Sequence, residues 1–207
     1  MDRATAVLLL LAVSTSGAYV QMDMIFSSAK CDTESLITQY FSEGCVMSPK
    51  GVEGFSPVWF PKSFAAPKIL TNLTSSYLSI SQCHDQDCKD CDAPYFETGL
   101  PACEPAGSSS TLYQYSKGLP TQTPGKILTS FCEEGCKVCP FHNLENTERC
   151  IFYEFEQVLL WKCDADGSGA RQFEFNPPNC TGAPNTTQHW PLGGCVDRQW
   201  TLNWCGV

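Results

Sequence analysis

The residues of this chain best suited to chemistry are its 14 cysteines: Cys31, Cys45, Cys83, Cys88, Cys91, Cys103, Cys132, Cys136, Cys139, Cys150, Cys163, Cys180, Cys195 and Cys205. Two stretches echo one another. Cys83 to Cys103 reads CHDQDCKDCDAPYFETGLPAC, and Cys132 to Cys150 reads CEEGCKVCPFHNLENTERC. Each has a cysteine, an acidic spacer, a C-x-x-C pair and a closing fourth cysteine, which suggests two related modules, each pinned locally. Four thiols are the number that a structural zinc site needs, and a C-x-x-C pair in a βαβ setting can exchange electrons. No βαβ pattern surrounds Cys88 or Cys136. An even set of cysteines on an oxidising route points instead to disulfides, and so to seven bridges.

Hydrolytic chemistry has less to work with. His84, His142 and His189 lack the spacing of a metalloprotease helix, and no G-x-S-x-G elbow is present. Glu154 and Glu156 alternate along IFYEFEQ, so they share one strand face, and a carboxylate pair is what glycoside hydrolysis uses. This makes a glycosidase-type hydrolase the enzymatic alternative. A solvated face of an edge strand explains the same pair more simply, and the expectation is that the protein is not an enzyme. The stretch DADGSG resembles the calcium loop of the EF-hand family, with Asp164, Asp166 and Ser168 at the first, third and fifth positions and Gly169 at the sixth. The twelfth position is Phe175 rather than Glu, and Asn176-Pro177-Pro178 prevents a normal exiting helix. Calcium is therefore the one cofactor that the residues suggest, and a Gly-rich turn between two strands is the reading preferred over it.

Binding is better served. The chain has 5 Trp, and exposed aromatic rings stack on sugars or anchor protein partners. Trp59, Phe60 and Trp190, close to prolines in polar or Gly-rich surroundings, are the surface candidates. Residues 1–18, MDRATAVLLLLAVSTSGA, read as a secretory signal peptide, with an apolar run too short to span a bilayer. Three N-glycosylation triplets follow, at Asn72, Asn179 and Asn185. The net charge of −9 argues against a nucleic-acid partner, which needs a basic surface. No later apolar run reaches membrane-spanning length. The expectation is a secreted, extracellular glycoprotein whose partners are carbohydrate, extracellular protein or further copies of itself.

These residues must be held by strands. Val20, Met22, Met24 and Phe26 alternate, as do Thr38 with Tyr40, Tyr113 with Tyr115, and Phe173 with Phe175; period two marks a strand with one buried face. In three of these the cysteine stands five residues after the last aromatic: Phe26 to Cys31, Tyr40 to Cys45, Phe175 to Cys180. Residues 46–72 mix Gly, Pro and aromatics and read as a long loop. PAGSSS, 105–110, is the linker candidate. The chain is thus expected to be all-β and disulfide-rich, with two related small β modules, 19–106 and 107–207, built from strand-turn-Cys repeats.

In style the turns QYFSEGC and FEFNPPNC, with PLGGC, are similar to those of cysteine-rich secreted, cell-surface or wall proteins of free-living protists, amoebae especially. That resemblance implies a structural or adhesive component of an extracellular coat, matrix or filament, in one form carbohydrate-binding. A soluble signal or inhibitor that binds another protein is the remaining alternative.

Overall fold

The computed structural model describes residues 17–25, 28–47, 68–132, 135–153, 157–176, 179–196 and 200–207. Among them there are strands and turns but no helix. In chain order the first half runs β1 (Tyr19–Ile25), β2 (Ile37–Ser42), β3 (Gly44–Met47), β4 (Lys68–Thr74), β5 (Tyr77–Cys83), β6 (Phe96–Gly99), β7 (Ala102–Ala106) and β8 (Ser109–Ser116). The second half repeats the count with β9 (Lys126–Phe131), β10 (Phe141–Asn146), β11 (Cys150–Tyr153), β12 (Gln157–Cys163), β13 (Gly169–Phe175), β14 (Thr186–Pro191), β15 (Cys195–Val196) and β16 (Trp200–Cys205). Hydrogen bonding sorts them into one eight-stranded sheet, β15-β16-β9-β10-β2-β1-β8-β7, and two four-stranded meanders, β3-β4-β5-β6 and β11-β12-β13-β14.

The two halves have one plan. Strands one, two, seven and eight of each enter the large sheet, while three to six form its small sheet. All pairings between these strands are antiparallel. The halves meet where β2 pairs with β10, setting Phe41 opposite Phe141, Gln39 opposite Asn143 and Ile37 opposite Glu145. Strand two of one half thus pairs with strand two of the other, which defines a pseudo-two-fold axis through the Gln39 and Asn143 pair. There Gln39 Nε2 donates to Asn143 Oδ1 at 3.1 Å, with both residues 4% exposed.

Alternation then decides which face is covered. Val20 and Met22 of β1, Phe41 of β2, Tyr113 of β8, Phe141 of β10 and Phe131 of β9 point to one side and pack on Val46, Ile69, Leu73, Leu78 and Ile80 of the first small sheet. On the same side Ile127, Leu202 and Cys205 pack on Trp161, Ala170 and Trp190 of the second. A smaller group, Met24, Ile37 and Ile151, lies near the axis. Both small sheets therefore cover one face of the large sheet.

Residues 117–125 join β8 to β9, and the opposite face is the one left to them, since both small sheets occupy the first. β8 and β9 run in the same direction four places apart, so the link must span about 19 Å sideways. It must also return the length of a strand, because Ser116 is level with Tyr19 while Lys126 is level with Asn146. Nine extended residues cover about 30 Å, enough for a diagonal over the uncovered face. The strap ends where Gln122 Nε2 donates to the Cys205 carbonyl at 2.9 Å and Gly125 N to that of Gly206 at 3.1 Å. Gly206 is required there, since a Cβ would lie 1.9 Å from the Thr123 carbonyl oxygen.

All 14 cysteines are bridged. Cys45–Cys88 and Cys150–Cys180 each tie the first strand of a small sheet to the loop after its third strand, and Cys31–Cys103 and Cys136–Cys195 each tie the first turn of a half to its seventh strand. Cys83–Cys91, Cys132–Cys139 and Cys163–Cys205 have no counterpart. The sequence echo is real as a local knot, with an outer pair bridged around Cys88 or Cys136. The fourth cysteines do not close their clusters: Cys103 reaches back to Cys31, and Cys150 forward to Cys180. The knots also stand in different places, after β5 in one half and after β9 in the other.

Other expectations shift as well. The ends of the 46–72 stretch belong to β3 and β4, while 48–67 lie outside the described residues. PAGSSS is the turn and flanks of the β7–β8 hairpin, with Gly107 at φ 65°, and the strand plan begins again only after 117–125.

No bridge joins residues before 117 to residues after 125. A protease site placed in the strap of the intact protein should yield two fragments on a non-reducing denaturing gel. Under native conditions the same cleaved sample should elute as one species, held by β2 and β10.

Candidate functional site

The DADGSG stretch forms the turn between β12 and β13. Asp164 N donates to the Gly169 carbonyl at 2.9 Å and Gly167 N to the Asp164 carbonyl at 2.9 Å, with Gly167 at φ 72°. The Asp164 carboxylate is occupied by protein: Oδ2 lies 2.9 Å from His189 Nε2 of β14, and Oδ1 lies 3.3 Å from Arg171 Nε of β13. Asp166 Oδ1 accepts from Ser168 Oγ at 2.7 Å and Ser168 N at 3.0 Å, which holds its carboxyl below the usual range. Gly169 serves packing, since a Cβ there would stand 2.5 Å from the Trp190 carbonyl oxygen. Among the described residues, the one close group of His, Cys, Asp or Glu is Cys83, Cys88 and Cys91, whose sulfurs are in bridges.

Trp190 does not offer a surface. It is 5% exposed and meets Trp161 edge to face, with ring centroids 5.4 Å apart. Its partner across the sheet is Ala170, whose small side chain leaves room for the indole. Trp161 is 2% exposed, and its Nε1 donates to Glu145 Oε2 at 2.7 Å, satisfying a carboxylate that is itself 3% exposed. Trp59 and Phe60, and the Glu154 and Glu156 pair, lie outside the described residues.

The three glycosylation triplets are open to solvent. Asn72 points outward from β4, and Asn179 and Asn185 stand in the loop between β13 and β14, all exposed. Asn179 Oδ1 accepts from Thr181 N at 3.2 Å within its own triplet, and Asn185 Nδ2 donates to Asn176 Oδ1 at 2.8 Å.

Among the described residues, the large rings most open to solvent are Tyr77, 37% exposed, and Tyr95, 40% exposed. Tyr77 shares the outer face of its sheet with Ser79 and Ser81, and its hydroxyl donates to Glu97 Oε1. The alternation of YLSISQ, with Leu78 and Ile80 inward, carried that placement in the sequence.

One arrangement has the form of a nucleophile and base. Ser130 Oγ lies 2.6 Å from His142 Nδ1, and Asn203 Nδ2 donates to the same hydroxyl. Ser130 is 0% exposed and His142 5%, so both are shielded from solvent. Burial pushes the imidazole pKa down to about 4 from 6.5, which keeps it neutral at pH 7. Together with Tyr40, which burial and then the Asp23 charge push up to about 12, the pair belongs to a buried polar layer on the face opposite the small sheets. Its other member is the Asp23 carboxylate, which accepts from Thr38 Oγ1 at 2.6 Å and Gln114 Nε2 at 2.9 Å.

Scanned against protein-family models, curated proteins and solved structures, the chain matches none.

With Asp164 and Asp166 engaged by protein donors, millimolar Ca²⁺ should leave the melting temperature unchanged, as scanning calorimetry with and without the ion would show. His142 predicts a pH effect of definite sign. Its folded pKa is below its unfolded one, so the unfolded chain takes up the proton first. The stability tied to the neutral ring is complete above about pH 6.5 and is lost as pH falls towards about 4, by about 3 kcal/mol. Urea midpoints at pH 7 and pH 4 should differ more for the wild type than for His142→Asn.

Proposed function

We propose that this protein is a secreted, glycosylated molecule that acts by binding, as a structural or adhesive component of an extracellular coat, matrix or filament. The observation that carries the reading is the duplication: two β units of one plan, each tied by its own bridges, joined about a pseudo-two-fold axis. The two units present their outer faces at a fixed separation, so each can engage a partner of its own. A bivalent molecule of that kind cross-links its partners, and simultaneous engagement raises avidity without new contacts.

Several features support the extracellular setting. Seven bridges with no free thiol suit an oxidising compartment, the three triplets are exposed, and among the described residues no helix is long and apolar enough to cross a membrane. The partner is carbohydrate, an extracellular protein or another copy of the chain. A sugar-binding form would use the exposed Tyr77 and Tyr95 of the first unit, since Trp161 and Trp190 are buried.

The test is light scattering on the secreted protein together with retention on insoluble polysaccharides. Oligomers, or retention that drops when either unit's outer face is altered, support a bivalent coat component. A monomer retained on no polysaccharide and captured by no extracellular protein would overturn the reading.

A further inference from the structure

The outer face of the first small sheet brings a glycosylation triplet and an exposed ring together. In β4 the triplet residues Asn72 and Thr74 both point outward and are exposed. Register sets Asn72 opposite Ser79 and Thr74 opposite Tyr77 on β5, and sets Ser79 opposite Glu97 on β6. Ser79 is on this solvent-facing side and yet only 4% exposed. Tyr77 is its neighbour two residues earlier on that face. Its hydroxyl donates to Glu97 Oε1, the residue across from Ser79 on β6, so the ring leans along the sheet towards Ser79, and Asn72 stands across from Ser79 on the other side. The residue across from Tyr77 on β6 is Gly99, which adds no side chain over the ring. Tyr77 is thus tethered at its hydroxyl and still exposed, on the same sheet face as the amide that would carry a sugar and one diagonal from it.

We propose that the first N-acetylglucosamine on Asn72 packs against the Tyr77 ring and so pins the β4–β5 hairpin. A sugar ring has an apolar face of C–H groups that seats well on an aromatic face. A strand-mounted asparagine beside a fixed ring loses little freedom on making that contact. The role follows from the secreted, glycosylated reading above and adds to it a ligand for Tyr77: the chain's own glycan.

The experiment uses the full chain secreted from a eukaryotic host. Glycopeptide mass spectrometry first reads occupancy of Asn72. Melting temperatures are then compared for protein trimmed to one N-acetylglucosamine and for protein stripped of all sugar. The same pair is measured in Tyr77→Phe and Tyr77→Thr, and Asn72→Gln marks the share that belongs to this site. Stripping should lower the melting temperature by about 2–4 °C in the wild type and in Tyr77→Phe, the shift expected for one such contact in a chain of this size. In Tyr77→Thr it should do so by less than about 1 °C. The acetyl methyl protons of that sugar should also be shifted upfield by the ring current in the wild type, a readout that needs no variant. Equal losses with and without the ring, or an unshifted methyl signal, would overturn the contact while leaving the glycoprotein reading intact. An Asn72 found without sugar in the secreted protein would overturn the contact and the use of this triplet together.

Discussion

The structure depends on the pairing of β2 with β10. Each half contributes four strands to the large sheet, and each would by itself end in a full-length open edge, a row of unpaired N–H and C=O groups that must be satisfied. Pairing strand two with its own counterpart in antiparallel sense closes both edges at once. The amide pair of Gln39 and Asn143 marks the register: a slip of the two strands would leave the Gln39 Nε2 donor and the Asn143 Oδ1 acceptor buried without the bond they now share. The outer edges are blunted differently, by Pro105 on β7 and by the two-residue length of β15.

Around that join the bridges act within halves. The shared bridges fix where the small sheet sits, by tying its first strand to a loop and the half's first turn to its seventh strand. Cys31, Cys88 and Cys136 each provide the loop end of such a bridge, and all three have positive φ, at 54°, 52° and 55°. That conformation is costly for a residue with a Cβ, and it persists where the covalent tie and the surrounding turn hold it. The unfolded chain is restrained separately in each half, which suits two units that cohere through a sheet and not through sulfur.

The halves agree in plan while their side chains compensate one another. Register makes Glu145 the counterpart of Phe41 and Trp161 that of Thr71, so a polar group moves from one sheet to the other as a large ring moves back. Likewise Leu78 and Thr98 correspond to Ala170 and Trp190, a small residue for a large one on one strand and the reverse on its neighbour. Close packing enforces such exchanges, because each volume must be filled by one side or the other. The outer faces carry no such restraint, and there the units differ: Tyr77 and Asn72 on one, the His189 and Asp164 pair on the other.

Much was legible before the tertiary structure. The alternation in YVQMDM determines β1 and its buried face, because a half-covered strand has period two; the even cysteine count determines a fully bridged chain; Asp-Gly and Ser-Gly in DADGSG determine a turn. These are local properties, set by a few neighbouring residues. The rest was decided by residues far apart in the chain. Which cysteines pair follows from the sheets, so Cys103 finds Cys31 and not its own cluster. Trp190 turns inward because Ala170, twenty positions earlier, leaves the space for it. The cysteine echo announced two related modules, but their strand-by-strand correspondence was hidden, since compensating exchanges erase likeness in the sequence while the strand order and register preserve it.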